Sequence, residues 1–142
     1  MPNKTFPARL ENLAKISEYI LHAAHLAGLD ASAVYAVQLA VDEAATNIIE
    51  HAYHLRGGGK IKCSYEIMPD GIEIVLTDYG DSFDPHNIPE PNIKVPLEEI
   101  RPRGLGLFFM RKMMDEVTFE FTPEGNVLTM IKRKKQLDAP RN

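Results

Sequence analysis

The apolar residues of this chain repeat with two different periods, and the change falls at a triple glycine, Gly57-Gly58-Gly59. Before it, Leu13, Ile16, Ile20, Ala23 or Ala24, and Ala27 step by three and four, the spacing of one helix face. Gly28 then stands where a left-handed residue closes a helix, and Asp30 or Ser32 can cap the next. That second helix carries Val37, Ala40, Val41, Ala44, Ala45, Ile48 and Ala52 at helical spacing, and is expected to run to about His54 before the glycines end it. After the glycines the period is two. Ile61, Cys63, Tyr65 and Ile67 share one side of a strand, Pro69-Asp70-Gly71 has the chemistry of a turn, and Ile72, Ile74 and Leu76 alternate back to Asp78.

From Tyr79 to Arg103 neither period is present, and five of the chain's ten prolines lie there. An aperiodic stretch of this length is uncommon inside a domain and points to a binding loop or lid. Leu105–Met114 returns to helical spacing. Val117, Phe119 and Phe121, the turn Pro123-Glu124-Gly125-Asn126, and Val127, Thr129 and Ile131 form a second hairpin pattern. The order predicts an α+β two-layer sandwich: a mixed, mostly antiparallel sheet covered on one face by three helices.

Composition narrows the class. The 142 residues predict a single domain, 1–142, and the formal charge of −4 gives no electrostatic reason for direct nucleic-acid binding. One cysteine excludes an internal disulfide framework and a multi-cysteine metal site. No apolar run has the length of a membrane span and the N-terminus has no apolar signal core, so a soluble, cytoplasmic protein with no membrane partner is expected. Cys63 has inward parity and reads as a small core residue, and the run Lys132–Lys135 reads as protection for a terminal strand.

Three features carry chemistry. On the second helix Glu43 and Asn47 are one turn apart, so they project in one direction. A carboxylate beside a hard amide oxygen suits a magnesium–phosphate site, although the same pair fits a solvated helix face. Asp78 shares parity with Ile72, Ile74 and Leu76, so the strand aims it inward, where an amino group such as that of adenine can satisfy it. Gly80 would let a flat ring approach the backbone; the plainer reading is an Asp-x-Gly turn. Arg103-Gly104-Leu105-Gly106-Leu107 opens a helix and exposes backbone N–H groups to an anion, or is simply a helix-start turn.

In this order the motifs resemble the GHKL ATPase superfamily (the Bergerat fold, or histidine kinase-like ATPase domain). Within it the chain is most similar to the stand-alone anti-sigma factor serine-protein kinases. The resemblance runs from about Leu10 to Lys132. It is carried by VDEAATNIIEHAY at Val41–Tyr53, DYGDSFDP at Asp78–Pro85 and RGLGLFFMRKMMDEV at Arg103–Val117. It implies Glu43 as catalytic base, Asn47 as the Mg²⁺ ligand together with ATP phosphates, and Asp78 as the reader of the adenine amino group. It also implies nucleotide contacts from Gly80, Phe83, Arg103, Gly104, Leu105, Gly106 and Leu107, with residues 79–103 as an ATP lid.

The activity so implied is an ATP-dependent serine/threonine-protein kinase acting as an anti-sigma factor. Its substrate is a Ser of an anti-sigma factor antagonist, a sigma factor is a second partner, and the chain is a homodimer. Two positions depart from the family pattern: Ser82 replaces a glycine, and Val127 aligns with a supporting threonine. They leave open a nucleotide-gated protein-binding module with little or no kinase activity. A third class is an α+β interaction domain that binds no nucleotide.

Overall fold

The computed structural model describes residues 1–55, 58–81 and 110–135. Helix α1 spans Leu13–Leu26 and is entered through a 3-10 turn at Leu10–Asn12; α2 spans Ala31–Asn47. Of the two cap candidates Asp30 is the one used, its Oδ1 accepting from the Ala33 N–H at 2.8 Å. Gly28 has φ +79°, the left-handed geometry expected at the end of α1. Residues 110–113 are helical and belong to the third expected helix, whose earlier part lies outside the described residues.

The sheet has five strands among the described residues: β1 (Asn3–Pro7), β2 (Lys60–Met68), β3 (Gly71–Asp78), β4 (Glu116–Thr122) and β5 (Gly125–Arg133). Their spatial order is β1-β2-β3-β5-β4, and all four pairings are antiparallel. Ile61, Cys63, Ile72, Ile74, Leu76 and Met130 are fully buried, packed with Ile16, Ile20, Val37, Val41 and Ile49 of the helical layer. The two expected hairpins are present.

Four local expectations change. β1 was not legible as a strand: only Phe6 of its five residues is buried, and two prolines bracket it. In β5 the inward set is Leu128 and Met130, while Val127, Thr129 and Ile131 take the opposite parity. Both sets are apolar, so alternation could not choose between them. The basic run belongs to no sheet edge, because β5 lies between β3 and β4. There Lys132 Nζ donates to the Met113 carbonyl at 2.7 Å and Arg133 pairs with Glu116.

The fourth change is at the end of α2. The helix passes into a π turn over Ile48–Ala52, closed by Tyr53 N–H to Ile48 O at 3.0 Å, and Leu55 N–H donates to Ile49 O at 2.9 Å. His54 and Leu55, with φ 52° and 62°, carry the left-handed geometry that ends the helix before the glycines. A hydrogen bond between His54 Nε2 and Asp81 Oδ2 at 2.8 Å helps hold this turn. No helix among the described residues is long and apolar enough to cross a membrane.

Candidate nucleotide site

The end of α2 and the ends of β3, β4 and β5 enclose a cavity with about 470 Å³ of empty space, its open mouth included. Asn47, Ile48 and Ala52 form the helical wall, Asp78 and Asp81 come from the end of β3, and Phe119, Phe121, Asn126 and Leu128 come from β4 and β5. The cavity lining is mostly apolar with a few polar groups, the composition of a small-molecule site. Two of its polar groups, Asp78 and Asn126, are hydrogen-bonded to each other, and Phe119 and Phe121 supply flat apolar surface.

Asp78 is where strand parity aimed it, facing inward with only 5% of its surface exposed. Its Oδ1 accepts from the Gly80 N–H at 3.0 Å and from Asn126 Nδ2 at 2.9 Å. The same Nδ2 donates to the Gly80 carbonyl at 3.0 Å. Burial pushes the Asp78 carboxyl above the ordinary carboxylate range, and the hydrogen bonds from Asn126 and Gly80 oppose that shift. The result is a sheltered carboxylate with one oxygen held by two donors, lining a cavity.

Gly80 makes a close approach, but the neighbour observed is protein. A Cβ added there would overlap the Ala52 carbonyl oxygen and lie 2.7 Å from its carbonyl carbon. The Asp81 N–H donates to that same carbonyl at 2.8 Å, so the chain leaving β3 is docked on the helix end. Tyr53 adds a clamp: its hydroxyl donates to Lys60 O at 2.7 Å and accepts from the Tyr79 N–H at 2.7 Å. Both ends of the β2–β3 hairpin are thereby tied to the end of α2.

Asn47 lines the cavity, and Glu43 is half-buried one turn before it. Burial raises the Glu43 carboxyl above its ordinary range, and the Asp42 and Glu50 carboxylates add to the shift. Asn47 offers one hard oxygen donor. A single protein oxygen fits a Mg²⁺ ion held chiefly by phosphates and water, and no cluster of three acidic, His or Cys ligands occurs among the described residues to suggest another metal. Phe83, Arg103, Gly104, Leu105, Gly106 and Leu107 lie outside the described residues, as does Ser82.

Sequence reasoning missed Asn126. It pairs with Asp78 across the β3–β5 ladder, whereas Val127 pairs with Thr77. The supporting position assigned to Val127 is therefore taken by Asn126. The available signal was parity: Asn126 shares the inward phase of Leu128 and Met130.

The chain matches the family model described as a histidine kinase-like ATPase domain over residues 6–132. It is 32% identical to the Serine-protein kinase RsbW of Halalkalibacterium halodurans over 132 residues, covering 90% of this chain and 80% of that protein. It is 36% identical over 110 residues to the Serine-protein kinase RsbW of Staphylococcus epidermidis, covering 74% and 69%. Among solved structures, the RsbU and RsbW domains of a Mycobacterium tuberculosis protein superpose with a TM-score of 0.59 at 14% identity, over 94% of this chain and 32% of that one. The histidine kinase domain of the blue-light activated kinase from Erythrobacter litoralis gives 0.53 at 16% identity, over 85% and 58%. These two likenesses bear on the fold alone; the family model and the curated relatives bear on descent. With its inward aspartate, its Glu-x-x-x-Asn helix and this match over nearly its whole length, the chain belongs to the histidine kinase-like ATPase domain family.

Proposed function

We propose that this protein is an ATP-dependent serine-protein kinase that acts as an anti-sigma factor in a partner switch. The observation that carries the reading is the Asp78 carboxylate. It is held by Asn126 and Gly80 in a cavity walled by Asn47, within a chain 32–36% identical to proteins named Serine-protein kinase RsbW. Asp78 accepts the adenine amino group, and the aromatic and aliphatic walls take the ring. Asn47 would supply a protein oxygen to a Mg²⁺ ion, which would offset phosphate charge when bound.

Glu43 is the base. Its raised carboxyl pKa, caused by burial and two neighbouring carboxylates, strengthens it as acceptor of the proton from a substrate Ser hydroxyl. The hydroxyl oxygen takes the γ-phosphoryl group and ADP leaves. On the family resemblance alone, residues 79–103 are assigned as the ATP lid and Arg103 with the Gly104–Leu107 backbone as receiver of phosphate charge; residues 82–107 lie outside the described residues. The substrate is an anti-sigma factor antagonist, the sequestered partner is a sigma factor, and the active species is a cytoplasmic homodimer.

The test is transfer of labelled γ-phosphate from Mg-ATP to a purified antagonist. Phosphoserine on the antagonist, lost in Glu43→Ala, is the expected result. ATP-dependent partner binding without any phosphoprotein, even in a single turnover, rejects the kinase assignment.

A further inference from the structure

We propose that the groove between α1 and α2 docks a basic amphipathic helix of the DNA-binding protein that this chain sequesters; the inference rests on the anti-sigma reading above. The two helices are joined through residues 27–30 and lie side by side. Leu13, Ser17, Leu21 and His25 of α1 and Gln38 and Asp42 of α2 line a depression along their junction. It holds about 1150 Å³ of empty space, its open mouth included. From Leu13 to His25 it runs ~18 Å at the helical rise per residue, the length of about three turns of another helix. It is distinct from the nucleotide cavity: Asp42 and the cavity residue Asn47 lie about 140° apart around α2.

Two groups inside the groove ask for a partner. Ser17 is only 7% exposed, and its Oγ has no hydrogen-bond partner. A buried hydroxyl in that state is costly until a polar group meets it. Beside it stands the half-buried Asp42 carboxylate. Burial pushes the Asp42 carboxyl above the ordinary carboxylate range, and the Ser17 hydroxyl opposes that shift without closing a hydrogen bond of good geometry. Among the described residues no Lys or Arg lines the groove or pairs with Asp42 or Glu18. One incoming ammonium or guanidinium would donate to the Asp42 carboxylate and to the Ser17 hydroxyl together.

The sign of the groove selects its occupant. A second copy of the chain would set the same Glu18 and Asp42 carboxylates against themselves, and a nucleic acid would bring its phosphates. Both are repelled. A protein that binds DNA instead carries Lys and Arg on its helices. Apolar anchors are present as well. Leu13, Ala14 and Leu21 line the groove, and two large side chains flank it on the same helices, Leu10 just before α1 and Tyr35 one turn before Gln38. They are left 46% and 60% exposed, and tyrosine is a frequent anchor of protein interfaces. The occupant is therefore a helix that sets Lys or Arg against Asp42 and Ser17, with apolar residues one turn to either side.

In the experiment, each sigma factor of the organism is purified and titrated by calorimetry against wild type, Glu18→Lys, Tyr35→Ala and Ser17→Lys. Mg-ATP affinity of every variant is the control for folding, because none of these residues lines the nucleotide cavity. The sigma factor that wild type binds should lose ~10-fold or more in affinity for Glu18→Lys and for Tyr35→Ala, as at other interface anchors. Ser17→Lys places the chain's own ammonium beside Asp42 and should lose as much. Mg-ATP affinity should be unchanged throughout.

Sigma-factor affinity that survives both Glu18→Lys and Tyr35→Ala overturns the docking site. A change confined to self-association, or to phosphorylation of the antagonist, overturns it too, since the groove then belongs to a second copy or to the substrate. If Ser17→Lys does not melt cooperatively, the two surface variants decide. A wild type that transfers γ-phosphate to the antagonist but binds no sigma factor overturns the docking and leaves the kinase reading standing. Groove-dependent sigma-factor binding by a protein that transfers no phosphate does the reverse.

Discussion

The Asn126 side chain donates to Asp78 Oδ1 at 2.9 Å, a bond between two residues already paired across the β3–β5 ladder but 48 positions apart in the chain. This bond converts an inward-facing carboxylate, costly by itself, into a fixed acceptor at the rim of a cavity. The strand pattern had aimed Asp78; its partner came from the other hairpin.

The cost of that carboxylate is measurable. Because burial raises its native pKa above the unfolded value, the native state binds the proton more tightly, and stability falls as pH rises through the raised pKa. Asp78→Asn keeps an oxygen to accept from Asn126 and Gly80 and removes the charge. At pH 7 the variant should melt ~2–4 °C above wild type, roughly 1 kcal/mol for a chain of this size. The gap should narrow as pH is lowered toward 4. The Mg-ATP thermal shift should disappear in the same variant. A lower Tm than wild type at pH 7 contradicts this account.

Gly80→Ala should destabilise for a reason unrelated to flexibility. The added methyl meets the Ala52 carbonyl, and this backbone cannot move without breaking the bond from the Asp81 N–H. A loss of about 1–3 kcal/mol in urea unfolding is expected, as for other overpacked sites. Nucleotide affinity should fall with it, because the same segment positions Asp78. An unchanged unfolding midpoint would show that the end of α2 yields.

Glu43→Gln separates chemistry from binding. The amide retains the shape and cannot take a proton, so phosphoryl transfer should drop ~10²–10⁴-fold while Mg-ATP binding is retained. In wild type the rate should rise with pH as Glu43 ionises, with a midpoint above the ordinary glutamate range because of burial, Asp42 and Glu50. A rate independent of pH between 4 and 8 would remove Glu43 from the mechanism.

Cys63 should be silent. It is fully buried on β2, and burial pushes its thiol pKa up to about 12, so thiolate is scarce at pH 8. Iodoacetamide should label it slowly in native protein and rapidly in urea. Fast native labelling would mean that β2 opens, with β1 as the strand to leave, since β1 buries a single residue.

Local spacing was enough to read α1, α2, both hairpins and the inward aim of Asp78, because a period of 3.6 or 2 is set within each segment by its own side chains. It was not enough for β1. An edge strand with one buried residue has almost no alternation, and its partner β2 lies more than 50 residues away. Nor could it place β5 inside the sheet, choose between two apolar parities there, or show that α2 gives way to a π turn after Asn47. Each of these depends on a neighbour from another segment.

The site divides along the same line. Glu43 and Asn47 are joined by one helical turn and Asp78 by strand parity, so the residues themselves determined which chemistry could face inward. Which partner would hold Asp78, and which backbone Gly80 would press against, were decided only when the second hairpin and the end of α2 met the end of β3. Hydrogen bonds and close approaches act over about 3 Å in space and carry no trace in spacing along the chain.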